Sequence, residues 1–201
     1  MTTIIVSYDG TDNDRDALAL GRVLASAGAS LHLAYVSHEG ERVREVPDDI
    51  PLHVVESAST ADGLRELAVA QGAELIVFGS EYRTAPGHVD PQATARRLLE
   101  GGPVALALAP AGYATNDRDV LTIRPISEDG DPCTRETADA FARALGAEVV
   151  DRASGEADLL VVGSKPGTVN GRVTISAAAE YLIELSRVPV VVLPRGVAVT
   201  P

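Results

Sequence analysis

An internal repeat constrains the fold of this chain more than any other feature of its sequence. Residues 72–80 (GAELIVFGS) resemble residues 156–164 (EADLLVVGS), so that position i of the first copy matches position i+84 of the second; we call this spacing the repeat offset. The repeat offset also aligns residues 98–100 with residues 182–184, and downstream GGPVALALAP resembles SRVPVVVLPRG. Each copy reads as a strand, a glycine loop, a helix and a proline-led strand, which predicts two related α/β units.

The second copy is shorter than the first. Residues 23–33 (VLASAGASLHL) resemble residues 141–151 (FARALGAEVVD), so that Gly28 matches Gly146. From Gly28 to Gly79 is 51 residues, whereas from Gly146 to Gly163 is 17, and the second copy therefore lacks 34 residues, about one βα unit. We expect part of its sheet to lack a covering layer, and the copy to depend on the first copy or on a second chain for its stability.

Strand and helix patterns alternate along the chain, which predicts an α/β fold of Rossmann-like, doubly wound parallel sheets with right-handed crossovers. The predicted strands are residues 4–8, 30–36, 52–56, 74–78, 104–109, 120–124, 148–150, 158–162 and 189–193. The predicted helices are residues 12–27, 60–71, 91–100, 132–145 and 172–186. Asp12 or Asn13 is expected to cap the first helix and Gly28 to end it. Residues 39–49 are a charged loop, and residues 112–118 link a first domain (1–112) to a shortened second domain (118–201).

The composition limits the kinds of binding partner and the cellular compartment that we expect for this protein. Hydrophobic residues make up 45% of the chain and aromatic residues only 3%, so the core must consist mainly of Val, Leu, Ile and Ala. The formal net charge of −12 disfavours binding to nucleic acid. Cys133 is the single cysteine and cannot form an intrachain disulfide. The N-terminal MTTIIVSYDG does not resemble a signal peptide, and no apolar run approaches the roughly 18 residues that span a bilayer, so we expect a cytoplasmic protein without membrane contact.

The order of these segments resembles the universal stress protein family. The first strand ends in YDG (residues 8–10), the unit LASAGASLHLAYV follows, and GAELIVFGS and GGPVALALAP complete the pattern. Members of this family often carry two such domains in one chain. The resemblance implies two tandem domains whose closing strands, residues 104–108 and 190–193, lie side by side and antiparallel in an intrachain pseudo-dimer. Association into a homodimer stays open.

The family's nucleotide signature, G-x2-G-x9-G-[ST], is eroded in both copies. Its four positions hold Gly79, Tyr82, Gln92 and Ala93 in the first copy, and Gly163, Pro166, Ser176 and Ala177 in the second. In the family, the glycines allow backbone to approach the phosphates and the last Gly-Ser opens a helix. A tyrosine or a proline replaces one such glycine here, so the resemblance implies that ATP binding is weak or lost unless Gly87 or Gly167 rebuilds the loop.

Several residues remain candidate nucleotide contacts under the resemblance. Asp9 corresponds to the family's Asp at the adenosine end of the nucleotide, with Ser127 as its counterpart by a 118-residue offset, and Val36 corresponds to a backbone contact to adenine. The loop residues that complete the candidate set are Gly79, Ser80, Gly163, Ser164, Lys165, Gly167 and Ser176. Two of these candidates have a second interpretation. Asp9 is also suited to cap a helix, and the segment GSKPGTVNG around Lys165 is interpreted first as an ordinary flexible loop and second as an anion site.

The sequence contains few features that would support catalysis or metal binding. Arg83 and His88 lie in the first glycine loop, where either could touch a ligand or simply be solvated. His32, His38 and His53 have no metal-ligand spacing, and no G-x-S-x-G motif is present. The first hypothesis is therefore a non-catalytic stress protein that binds a protein partner or a small ligand and has no cofactor, or only weakly bound ATP or AMP. The alternatives are an ATP-binding universal stress protein and a weak adenine-nucleotide hydrolase, for which no acid, base and nucleophile set is evident.

Overall fold

The computed structural model describes residues 2–26, 28–38, 46–115, 119–151 and 156–201. Within them lie nine strands and five α-helices. The strands are β1 (Thr3–Ser7), β2 (Ser30–Ser37), β3 (Leu52–Glu56), β4 (Ala73–Phe78), β5 (Ala105–Leu108), β6 (Thr122–Ile126), β7 (Glu148–Val149), β8 (Leu159–Val162) and β9 (Val190–Val192). The helices are α1 (Asn13–Ala25), α2 (Thr60–Gln71), α3 (Ala93–Leu99), α4 (Pro132–Leu145) and α5 (Ala177–Leu185). Residues 39–45 of the predicted charged loop and 116–118 of the predicted linker lie outside the described residues.

All nine strands form one sheet in the order β3-β2-β1-β4-β5-β9-β8-β6-β7. The neighbours from β3 to β5 pair in parallel, and so do those from β9 to β7. The single antiparallel pair, β5 with β9, joins the two groups. The predicted α/β fold with mostly parallel strands is confirmed, and we refer below to β1–β5 with α1–α3 as the first half and to β6–β9 with α4 and α5 as the second half.

Helices cover both faces of the sheet, as a doubly wound fold requires. One apolar layer packs α1 and α4 against the sheet through Leu20, Leu24 and Phe141, all fully buried. The other packs α2, α3 and α5 against the opposite face through Leu64, Leu98 and Ile183. The apolar strands are buried on both faces by these layers, which explains their nearly continuous Val, Ile, Leu and Ala sequences. In the described residues, no helix combines the length and apolarity needed to cross a membrane.

Helix ends follow local capping chemistry, and this corrects three predicted boundaries. Ser59 caps α2, and Gly72 closes it in a left-handed conformation. The helix predicted from residue 172 begins instead at Ala177, because the Ser176 hydroxyl accepts the Ala179 N–H at 3.1 Å. The helix predicted from residue 91 begins at Ala93, since Pro91 pairs with Ser80 in an isolated bridge. Asp12 is the N-cap of α1, as predicted, although its side chain makes no capping hydrogen bond. The helix ends at Ala25 with Ser26 as its C-cap, so the predicted end at Gly28 is wrong.

The antiparallel pair β5–β9, which we call the central seam, confirms the predicted contact between the two closing strands. Its register places Leu106 opposite Val192, Ala107 opposite Val191, and Leu108 opposite Val190. Ala107 and Val191 are themselves equivalent positions, because the repeat offset separates them. The edges that β5 and β9 would each expose in a separate half are therefore covered by the other half.

The shortening of the second half is visible in its elements. In the first half, β3 and α2 lie between β2 and β4, whereas the described residues between β7 and β8 contain no strand or helix. The predicted loss of about one βα unit is confirmed for this part of the chain. A groove of about 470 Å³ opens over β6 and β8, lined by Ile126, Val162 and Leu182 among others.

Candidate functional site

The loop after β1 is organised by Asp14, a buried carboxylate that sequence reasoning did not select. Its Oδ2 accepts the backbone N–H groups of Asp9 and Gly10, each at 2.7 Å, and that of Thr11 at 3.1 Å. Asp9 itself is exposed, and its Oδ1 accepts the Thr11 N–H at 3.0 Å. Three amide donors that could face a ligand anion are thus directed at a side chain of the protein.

Burial and the neighbouring Asp9 carboxylate raise the pKa of Asp14 to about 7. A carboxyl whose pKa is raised by folding contributes stability that is complete below the pKa of the unfolded chain, near 3.8, and that is lost as the pH rises through about 7. Carboxyl-carbon NMR should therefore show Asp14 titrating near neutral pH. We expect the free energy of unfolding of the wild type, relative to Asp14→Asn, to rise as the pH falls from 8 to 5. A titration midpoint at the ordinary value of an aspartate would contradict this.

The leading glycine of each nucleotide signature is in close contact with a helix start. A Cβ added to Gly79 would lie 2.2 Å from the Asn13 carbonyl oxygen at the start of α1. A Cβ added to Gly163 would lie 2.6 Å from Thr134 Oγ1 in the first turn of α4. Helix packing therefore accounts for both glycines without any ligand.

The serines that follow these glycines are buried and make the same set of bonds in both halves. Ser80 Oγ donates to the Ala109 carbonyl at 2.7 Å and accepts the Asp90 N–H at 3.1 Å. Ser164 Oγ donates to the Leu193 carbonyl at 2.7 Å and accepts the Thr174 N–H at 3.1 Å. The repeat offset separates the corresponding partners in every case. The hydrogen bonds of each serine thus connect its loop to the end of the neighbouring strand.

Each loop forms a reverse turn directly after its serine. The Thr84 N–H donates to the Glu81 carbonyl at 2.9 Å, and the Thr168 N–H to the Lys165 carbonyl at 3.3 Å. Pro166 and Gly167, with a φ of 80° at the glycine, suit the two central positions of such a turn. Lys165 is exposed at the first position of the turn.

In the first half, the backbone N–H of Gly87 is hydrogen-bonded within the chain. Its N–H donates to the Ala111 carbonyl at 2.7 Å. The N–H of Gly171, its equivalent in the second half, donates in the same way to the Arg195 carbonyl at 2.8 Å. These donors are therefore committed within the chain.

An acidic cavity lies beside the first glycine loop. It is open to solvent, has a volume of about 660 Å³ at the ends of β1 and β4, and is lined by Asp9, Asp12, Glu81, Tyr82 and Gln92 among others. Tyr82 is 67% exposed, and the Arg83 guanidinium lies 5.0 Å from the centre of its ring. Three carboxylates in one cavity disfavour a triphosphate.

The sheet register revises the counterpart of Asp9 in the second half. Ile5 pairs with Ile76 and Arg124 pairs with Leu160, and Leu160 is the equivalent of Ile76 by the repeat offset. Arg124 therefore occupies the position of Ile5, and four residues later Glu128 occupies that of Asp9. The expectation that Ser127 is the counterpart, and that this half has no acid there, is wrong because the strands align one position beyond the 118-residue offset.

Glu128 accepts a short hydrogen bond from the Ser176 hydroxyl at the start of α5. Two further acids of this loop are held by Arg195: its guanidinium meets Asp129 in two bonds of 2.6 and 2.8 Å and approaches Asp131 at 3.7 Å. Arg195 lowers the pKa of Asp129 through these bonds. A carboxylate thus lies at the start of α5.

The remaining candidates lie apart from the loops or have structural partners. Val36 is buried near the end of β2, where a Cβ added to Gly63 of α2 would lie 3.1 and 3.2 Å from its two methyl groups. His32 and His53, which the sequence did not bring together, stack on β2 and β3 with Nδ1 and Nε2 2.8 Å apart. Burial, together with His53, lowers the pKa of His32. Among the described residues, no group of three or more His, Cys, Asp or Glu side chains could hold a metal ion.

Because the central seam is antiparallel, the carboxyl ends of the strands in the two halves point in opposite directions. Asp9, Gly79 and Ser80 therefore lie at one end of the strands, and Glu128, Gly163, Ser164 and Ser176 lie at the opposite end. The candidate residues therefore form two separate clusters. The signal for Glu128 was present in the sequence, but it required the strand register, while Asp14 could be recognised only from the loop geometry.

Comparison with known proteins shows which solved structures share this fold. A structure assigned to the universal stress proteins, from Pseudomonas aeruginosa UCBPP-PA14, superposes with a TM-score of 0.71 at 13% identity, covering 98% of this chain and 94% of that one. A protein of unknown function from P. aeruginosa PAO1 gives 0.70 at 14% identity, covering 98% and 93%. A universal stress protein from Archaeoglobus fulgidus DSM 4304 gives 0.64 at 11% identity, covering 96% and 98%. No family model and no curated protein matches the sequence. The chain therefore has the fold of universal stress proteins across both halves.

Proposed function

We propose that this chain is a non-catalytic protein of the universal stress type, which acts in the cytoplasm by binding a protein partner or a small ligand in a stress response. Its ATP binding is weak or lost. The observation that carries this proposal is that the protein's own groups occupy both nucleotide loops. Nearly full-length likeness to the fold of universal stress proteins supports the class of protein.

The loss of ATP binding rests on three properties of the loops. The Ser80 and Ser164 hydroxyls are bonded inside the protein. The amides after β1 face the Asp14 carboxylate rather than the cavity. Carboxylates of Asp9 and Glu81 line the first cavity, and Glu128 bonds to the start of α5 in the second half. None of these groups suits a triphosphate, whose binding relies on donors and positive charge.

The proposal extends to the architecture: domains 1–112 and 118–201 are tandem copies that form an intrachain pseudo-dimer. Contacts across the interface are reciprocal between positions that the repeat offset relates. The Val89 N–H donates to the Ser186 carbonyl at 3.2 Å, and the Val173 N–H donates to the Gly102 carbonyl at 2.8 Å. Such an exchange, in which i contacts j and j contacts i, is the property of a two-fold interface.

Calorimetric titration with Mg-ATP and with AMP tests the proposed loss of binding. We expect binding on the order of a thousandfold weaker than a working site would give, because each half lacks at least two charge-assisted bonds to phosphate. Tyr82→Gly is the control. If the tyrosine ring alone blocked the site, this variant would bind ATP. If the internal hydrogen bonds and the carboxylates of the loops prevent binding, the variant will not bind ATP. A low micromolar dissociation constant for either protein would contradict the proposal.

An adenine-nucleotide-binding protein is the second candidate function. The observation in its favour is the 660 Å³ cavity beside Asp9, which has the volume of a small-molecule site. Mass spectrometry of molecules released from the denatured protein separates the two candidates. Stoichiometric ATP or AMP would favour the second candidate, and their absence the first.

A further inference from the structure

His32 and His53 form a hydrogen-bonded pair at the outer edge of the first half. The His32 Nδ1 and His53 Nε2 atoms are 2.8 Å apart, and the two ring planes differ by only 9°. Both side chains are half-buried. The strand that carries His53, β3, is the end strand of the sheet and pairs only with β2. The pair therefore links the outermost strand of the first half to its single neighbour.

The number of protons on the two rings decides whether this hydrogen bond can form. In the neutral pair, one ring donates its N–H and the other accepts with its free nitrogen. One added proton leaves the bond in place, because the protonated ring is the donor and its neighbour stays the acceptor. A second proton makes both facing nitrogens donors and both rings cationic, so the bond is lost and the charges repel.

The surroundings of the pair are apolar. Ile5 and Ala34, the strand partners of His32 and His53, belong to the layer that packs against α2. The residues of α2 in this layer are Ala61, Leu64, Leu67 and Ala68. β1, on the other side of β2, has no charged residue. Such surroundings stabilise a second positive charge poorly.

The other titratable groups of β2, β3, α2 and their ends are Tyr35, His38, Asp49, Glu56, Asp62, Arg65 and Glu66. Tyr35 and Glu56 alternate to the opposite face of their strands. Asp62 lies 2.9 Å from Arg65, and Glu66 is exposed.

The two groups at the strand ends have partners of their own. Asp49, before β3, lies 2.7 Å from Arg22 of α1, and His38, after β2, lies 3.3 Å from Thr60 Oγ1. The charge that acts on His32 is therefore that of His53.

Burial, and then the charge of His53, lower the pKa of His32 below its ordinary value of 6.5. Folding thus favours the form without this proton. The contribution to stability is complete above pH 6.5 and is lost as the pH falls through the lowered pKa of His32. This direction is opposite to that of Asp14, whose contribution is lost as the pH rises.

We propose that the His32–His53 pair is a pH-sensitive latch, which holds β3 to β2 near neutral pH and loosens β3 in acid, when both rings carry a proton. Loosening of β3 leaves backbone groups of β2 unpaired, and unpaired groups at a sheet edge can bond to another chain. The first half therefore has an edge whose order depends on pH. This inference goes beyond the proposed function and does not depend on ATP binding.

Hydrogen exchange measured by NMR between pH 7.5 and pH 5 tests the latch. Leu33 is the reporter, because its N–H donates to the Pro51 carbonyl at 2.8 Å, between β2 and the start of β3. Ala109, whose N–H donates to the Phe78 carbonyl at 2.8 Å, is the internal reference at the centre of the sheet. After correction for intrinsic rates, we expect protection of Leu33 to fall on the order of tenfold more than that of Ala109, as loss of one hydrogen bond with added repulsion predicts.

Two variants remove the titration and keep a polar group near the lost ring nitrogen: His53→Gln and His32→Asn. Neither should show the extra loss of Leu33 protection in acid. His38→Gln is the matched control, since His38 is an exposed histidine outside the pair. This control should behave like the wild type, and thermal unfolding at pH 7.5 verifies that all three variants fold.

The proposal is overturned if Leu33 and Ala109 lose protection equally in the wild type, or if both variants of the pair keep the full extra loss. Nitrogen NMR of the imidazole rings gives an independent measurement. The pair should take up its two protons in separate steps, the second below pH 6.5. Uptake of both protons in one step near that pH would show that the rings titrate independently, without a latch.

Discussion

Replacing Gly79 by alanine is expected to destabilise the protein by about 3 kcal/mol, near the upper end for overpacked sites. The added Cβ would lie 2.2 Å from the Asn13 carbonyl oxygen, a backbone atom at the start of α1. That atom moves only if the helix moves, and α1 is fixed by Leu20 and Leu24, which are fully buried. The bonds of the Asp14 carboxylate to the loop would be disturbed as well.

Gly163→Ala is the matched variant for this prediction. Its Cβ would meet Thr134 Oγ1 at 2.6 Å, a side-chain atom that a rotamer change can move. We expect a loss of about 1 kcal/mol, since relief by a rotamer change costs less than a helix shift. Urea unfolding of both variants gives the two values. Equal stability of Gly79→Ala and the wild type would show that α1 does not approach the strand end so closely.

Residues 118–201 expressed alone are expected to lack a cooperative unfolding transition. In the full chain, Val190, Val191 and Val192 of β9 are fully buried in the central seam. Ile183 of α5 is buried in the same layer as Leu98 and Leu99 of the first half. Without that half, these apolar groups would be exposed beside a groove that is already open, and a small domain has little stability to lose.

Circular dichroism during thermal unfolding, with sedimentation to establish the monomer, measures this effect. Addition of a separately expressed segment of residues 1–115 is the control, because it supplies β5 and should restore a cooperative transition. A monomeric fragment that unfolds cooperatively with the stability of the full chain would contradict the dependence of the second half on the first.

Much of the fold follows from the sequence because buried parallel strands have continuous apolar runs. β3, α2 and α4 begin and end where the pattern places them. The starts of α3 and α5 could not be predicted from the sequence. Apolar residues such as Val173 continue the helical pattern upstream of α5, although they lie outside the helix. In the second half that segment bonds across the interface, a tertiary contact that local sequence does not encode.

The candidate residues were less predictable, because their partners are distant or depend on register. Ser80 and Ser164 look like loop residues, but their hydroxyls bond to carbonyl groups 29 residues away. A single register position separates Ser127 from Glu128 as the counterpart of Asp9, and the alignment of the helices does not fix the alignment of the strands. His32 and His53 meet only because β2 and β3 are neighbours.

Arg96 and Glu180 occupy equivalent positions in the two halves, and they lie against each other across the interface. If two identical first halves associated in this way, Arg96 would face a second arginine, and two second halves would bring two glutamates together. Like charges in such contacts are repulsive, whereas the mixed pair attracts. Joining both halves in one chain thus allows each half to recognise the other and to reject its own kind, a selectivity that a symmetric pair of identical chains cannot have.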